Sequence, residues 1–80
     1  MACYVYIIAS KRGVDRRTYV GWTTDLDGRL ARHNAGTGAK STRGRHWVLL
    51  YAERHKTRSA AMSREWNLKR DRPFRKSLWP

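Results

Sequence analysis

The sequence predicts an α+β domain: a three-stranded antiparallel sheet flanked by helices, in the order β-β-α-β-α plus a short C-terminal helix. Residues 2–10, "ACYVYIIAS", are apolar on both faces and rich in Tyr, Val and Ile, as a central strand requires. Residues 18–22, "TYVGW", and 46–54, "HWVLLYAER", repeat that β-type chemistry. Two stretches with helical periodicity follow the second and third strands, each opened by capping residues.

The elements follow in order. Residues 11–17, "KRGVDRR", are a polar connection with a Gly, which makes the first two strands a hairpin. Thr23, Thr24 or Asp25 caps the first helix, Asp25 and Asp27 suit its positive first turn, and Gly36 closes it. Residues 36–45, "GTGAKSTRGR", have no periodicity and predict a mobile basic loop. Thr57 or Ser59 caps a second helix that runs through about Arg70. Pro73 suits the first turn of a short final helix. Eighty residues without repeat or linker make one domain, 1–80.

Charge narrows the partners. Eighteen Lys and Arg against six Asp and Glu give a net charge of +12, which favours polyphosphates and fast electrostatic capture. No long basic helix has a bulky apolar face, so a membrane surface is not expected. There is no apolar run of about 18 residues and no signal-peptide pattern, and the expectation is a soluble intracellular chain. The single cysteine, Cys3, reads as a free buried thiol. His46 and His55 have no metal-ligand spacing with Cys3 or each other, and "GTGAK" lacks the spacing of a P-loop.

Chemistry enters through residues that face the wrong way. At about 100° per residue, Leu26, Arg29, Leu30 and His33 share one side of the first helix, so an Arg and a His point at the sheet. A core histidine and a snorkelling Arg are the bland readings, and the pair together is harder to explain that way. On the second helix, Ala61, Met62, Glu65, Leu68 and Lys69 share a face. Glu65 there is either paired with Lys69 at i+4 or is a metal ligand facing a cleft. Tyr4 and Tyr6 share a strand face, and Tyr19 lies on the neighbouring strand. A tyrosine hydroxyl, an Arg, a His and a Glu converging on one sheet face would suit phosphodiester cleavage. Of the four Trp, Trp47 and Trp66 read as core, and Trp22 and Trp79 as candidates for base stacking.

These residues resemble the GIY-YIG nuclease superfamily, and most closely its small stand-alone bacterial members. "YVY", residues 4–6, stands at the first motif, with Tyr4 where the family has Gly, and "YVG", residues 19–21, is the second. Arg29 and His33 fall ten and fourteen residues after Tyr19, where the family places an Arg and a His on the following helix. Glu65 in "REWNLK" matches the family's acidic metal ligand, followed by Lys69. The resemblance implies catalytic roles for Tyr6, Tyr19, Arg29, His33 and Glu65. Tyr6 would activate water and Tyr19 position water or phosphate, or the reverse. Arg29 would contact the scissile phosphate, and His33 would bond a tyrosine hydroxyl or relay a proton. Glu65 would hold one Mg²⁺ or Mn²⁺, and no Asp/Glu cluster here builds a two-metal clamp.

The expected function is a metal-dependent endonuclease that hydrolyses DNA phosphodiesters with tyrosine-assisted water attack. With no recognition helix, single-stranded or structured DNA is the expected substrate. Lys40, Thr42, Arg43 and Lys69 would contact phosphate, and Trp22 a base. Two rival readings stay open: a non-catalytic nucleic-acid-binding module, and an RNA nuclease, since a 2′-OH contact leaves no motif. The bacterial members imply a cytoplasmic, nucleoid-associated chain in DNA repair or processing, with room for a protein partner that supplies specificity.

Overall fold

The computed structural model describes residues 2–79. Its elements are β1 (Cys3–Arg12), β2 (Asp15–Thr23), α1 (Leu26–Ala35), β3 (Val48–His55), α2 (Arg58–Arg70) and α3 (Arg72–Ser77). The sheet order is β2-β1-β3, with β1 antiparallel to both neighbours. The strand that is apolar on both faces is therefore the central one, covered on both sides.

Strand alternation divides the interior in two. Cys3, Val5 and Ile7 join Val20, Ala61 and Leu68 in one core, under α2 and α3. Tyr6, Ile8 and Trp47 form the other, with Tyr19, Leu26 and Leu30 of α1 packed against it. Cys3 is a free, buried thiol of the first core. Asp25 caps α1 by accepting from Gly28 N at 3.1 Å, and Gly36 closes it at φ 81°. Thr57 caps α2 through Ala60 N, and Pro73 stands in the first turn of α3.

Four expectations need correction. The polar stretch 11–17 is mostly strand: the ladder runs on to Arg12↔Asp15 and turns over Gly13–Val14 alone, with Gly13 at φ 60°. Solvated strand ends need only backbone pairing, which polarity does not forbid. The third strand starts at Val48 rather than His46, because Asn34 of α1 takes the backbone of Trp47. Trp47 N donates to Asn34 Oδ1 at 2.6 Å, and Asn34 Nδ2 donates to the Trp47 carbonyl at 3.1 Å.

The loop after α1 is built rather than featureless. It holds a 3₁₀ turn, Lys40–Thr42, and two buried polar side chains, Thr42 and Arg45. The Arg45 guanidinium donates to Ser10 Oγ, to the Ser10 and Asp15 carbonyls and to the Asp15 carboxylate, tying this loop to the hairpin. Trp66, expected in the core, is 56% exposed with the Arg70 guanidinium 3.6 Å over its ring. Ala61 and Leu68 mark the buried side of α2, and position 66 lies off it.

Candidate active site

Four elements meet on the α1 face of the sheet. β1 supplies Tyr6 and β2 supplies Tyr19, their ring centroids 6.5 Å apart. α1 supplies His33, centred 5.9 Å from the Tyr6 ring and 5.0 Å from that of Tyr19. The loop supplies Thr42. One turn before His33, Arg29 is half-buried at the edge of the cluster.

Two glycines make this packing feasible. Gly21 pairs with Tyr6 across the ladder, and a Cβ there would lie 2.5 Å from the Tyr6 hydroxyl oxygen. The glycine of "YVG" is thus the floor on which the Tyr6 ring rests. Gly38 does the same for the histidine, since its Cβ would stand 2.6 Å from His33 Nδ1.

Hydrogen bonds fix the direction of proton donation. The Thr42 hydroxyl has one proton and donates it to the Ala39 carbonyl at 2.8 Å. At 2.9 Å from His33 Nδ1 it can then only accept, so Nδ1 carries the ring proton. Burial, and secondarily the charge of Arg29, hold the His33 pKa below the usual histidine value and keep the ring neutral. Nε2 is left as the acceptor for the Tyr6 hydroxyl at 2.8 Å. Burial pushes the Tyr6 phenol above the usual tyrosine value; Tyr19 and Glu65 add to that and Arg29 opposes it. The resting pair is a protonated tyrosine donating to a neutral histidine.

Glu65 is half-buried on α2, with Oε1 3.7 Å from Lys69 Nζ. Its ion pair with Lys69 is therefore present, and its charge is also felt at the Tyr6 hydroxyl. Among the described residues no three His, Cys, Asp or Glu side chains gather to hold a metal. A lone carboxylate fits a hard divalent ion that keeps its waters and shares phosphate oxygens, and does not fit a zinc cage.

Tyr6, Tyr19, Arg29 and His33 come together as their spacing predicts. The expected phosphate contacts divide. Lys40 and Arg43 are exposed on the loop, and Lys69 is exposed beside Glu65. Thr42 is not among them: its side chain is fully buried between Ala39 and His33. Trp22 also moves, because alternation along β2 puts it on the opposite sheet face from Tyr19, half-buried against the first core. The Arg58 guanidinium lies 5.4 Å from its ring centre. Asn34, Gly38 and Arg45 support the site without having been singled out by any motif. Gly38 in "GTGAK" was their one local signal, a glycine without an obvious turn to make.

Residues 2–76 match the family model described as the GIY-YIG catalytic domain. Among curated proteins, the chain is 51% identical over 67 residues to a UPF0213 protein of Haloquadratum walsbyi, covering 82% of this chain and 72% of that one. It is 46% identical over 67 residues to a UPF0213 protein of Staphylococcus haemolyticus, covering 82% and 78%. Among solved structures, the solution NMR structure of a UPF0213 protein from Bacillus halodurans matches with a TM-score of 0.55 and 38% identity, over 98% of this chain and 82% of that one. It shares the three-stranded antiparallel sheet with flanking helices.

Proposed function

This chain belongs to the GIY-YIG family of nuclease domains, and from that premise we propose that it is a metal-dependent endonuclease of single-stranded or structured DNA. The observation that carries the reading is the bond chain Ala39–Thr42–His33–Tyr6, which leaves a histidine lone pair aimed at a tyrosine hydroxyl.

The reaction is a proton relay coupled to in-line displacement. A water oxygen forms its bond to phosphorus and gives its proton to the Tyr6 oxygen. The Tyr6 proton moves to His33 Nε2, which converts the ring to imidazolium. The bond from phosphorus to the leaving oxygen breaks, the leaving oxygen takes a proton from solvent, and the imidazolium proton returns to solvent, so the proton count closes. Raised by burial, Tyr6 is no resident tyrosinate, so this relay suits it better than direct deprotonation beforehand. Arg29 neutralises charge on the phosphoryl oxygens, and Tyr19 positions water or phosphate. Glu65 would hold the divalent ion, which when bound would supply Lewis-acid neutralisation of the phosphate.

The test is cleavage of 5′-labelled single-strand, duplex, flap and four-way-junction DNA, and of a labelled RNA, in Mg²⁺, Mn²⁺ or EDTA, beside Glu65→Ala. Metal-dependent products lost in that variant support the assignment and name the substrate shape. Tight binding without products across the panel would replace it with a non-catalytic module, and products from RNA alone with an RNA nuclease.

A further inference from the structure

The face of the sheet opposite the tyrosines holds a groove of about 530 Å³ between β2 and α3. Arg16, Thr18, Arg72, Arg75, Lys76 and Trp79 line it. That volume falls in the range of ligand sites, about 300–1,000 Å³. Four of the six lining residues are cations and none is acidic. Among the described residues, Arg16, Arg72 and Lys76 have no carboxylate within 4.0 Å: five of the six acidic side chains are paired elsewhere or cap helices, and Asp27 lies on α1. Arg75 is fixed in place by donating to the Leu68 and Lys69 carbonyls at 3.0 and 2.5 Å. Arg16 lies over Trp79, its guanidinium 5.5 Å from the ring centre.

Gathering unpaired cations opposes folding, so packing does not account for them. We propose that this groove is a second nucleic-acid contact, which grips backbone phosphates of a single strand and stacks a base on Trp79. The inference rests on the nucleic-acid reading above. Guanidinium forks match phosphate oxygens, and an indole face accepts any base. The place also fits. β2 is an edge strand, and Thr18 and Tyr19 are adjacent residues pointing to opposite faces. One strand passing over that edge reaches the groove on one side and the tyrosine cluster on the other.

The experiment is equilibrium binding of a labelled oligothymidylate in EDTA, so that it reads the groove whether or not the chain cleaves. The triple substitution Arg16→Gln, Arg72→Gln, Lys76→Gln should weaken binding about tenfold or more and lower the slope of log K against log salt by about 2. Trp79→Leu should weaken it about tenfold, one lost stacking contact. In the unsubstituted chain, the Trp79 indole N–H and Thr18 amide resonances should move on titration with the oligonucleotide, which covers the case of a variant that does not fold. Unchanged affinity and slope, or unmoved resonances, would overturn the proposal. So would thymidine monophosphate binding the groove as tightly as the oligonucleotide, since that makes it a free-nucleotide site. Displacement by polyglutamate with no oligonucleotide binding would reassign it to an acidic protein. Cleavage without any groove effect leaves the nuclease standing and this contact refuted.

Discussion

The proton on His33 Nδ1 is held there by a threonine that has already spent its own proton on a backbone carbonyl. Replacing Thr42 with Val removes the acceptor and strands a buried donor, which should cost about 1–3 kcal/mol in stability. Cleavage should fall as well, with the His33 ¹⁵N shifts moving toward a mixture of tautomers, and Thr42→Ser should restore both. Tyr6→Phe should reduce cleavage about 10²- to 10⁴-fold with DNA affinity in EDTA unchanged. The pH dependence has a definite sign. His33 must be neutral to accept, so cleavage should rise with pH along a limb centred below the ordinary value of about 6.5. Because the folded pKa is depressed, the unfolded chain binds more protons between the two pKa values. Stability is full above about pH 6.5 and declines as pH falls through the folded pKa. Thermal melts of His33→Gln should lack that component. A rate limb that persists in the variant would assign the titration to another group.

At the scale of elements, the site depends on two residues that contribute no side chain. Gly21→Ala sets a methyl 2.5 Å from the Tyr6 oxygen and 2.7 Å from its Cζ, so the ring must leave its place or the ladder must bend. We expect about 1–3 kcal/mol of destabilisation and loss of cleavage with the sheet retained, measured by circular dichroism beside the nuclease assay. Gly21 is also where sequence and structure agree most closely, since the motif marks the strand and the missing Cβ explains the glycine. The central strand, the hairpin partner and both helix starts are legible because burial on two faces and capping are local properties. The loop is not. Thr42 and Arg45 look like surface residues in "KSTRGR", and only partners 9 and 35 positions away, His33 and Ser10, make them interior. Trp66 went astray for a related reason: hydrophobicity states that an indole wants cover, whereas the face it lands on is set by helix phase.

At the scale of the whole molecule, holding and cutting fall to different residues under the proposed reading. Five of its six carboxylates are committed: Asp15 to Arg17 and Arg45, Glu53 to Arg64 and His55, Glu65 to Lys69, and Asp25 and Asp71 to helix caps. Most of the 18 Lys and Arg are left to face a polyanion. Binding should therefore fall linearly in log K against log salt, by about 0.7 per phosphate on a single strand. A chain that engages about six phosphates would lose on the order of 10²- to 10³-fold in affinity between 50 and 200 mM salt. Glu65→Ala should leave that slope intact, and its affinity in EDTA should be equal or slightly higher, because the change removes a negative charge near the strand. Its metal-dependent cleavage should vanish. Titrations of both proteins across salt, read beside cleavage in Mg²⁺, separate the two functions in one experiment. If Glu65→Ala weakens binding in EDTA as much as it weakens cleavage, the carboxylate orders the fold through Lys69 and the metal has to be sought elsewhere.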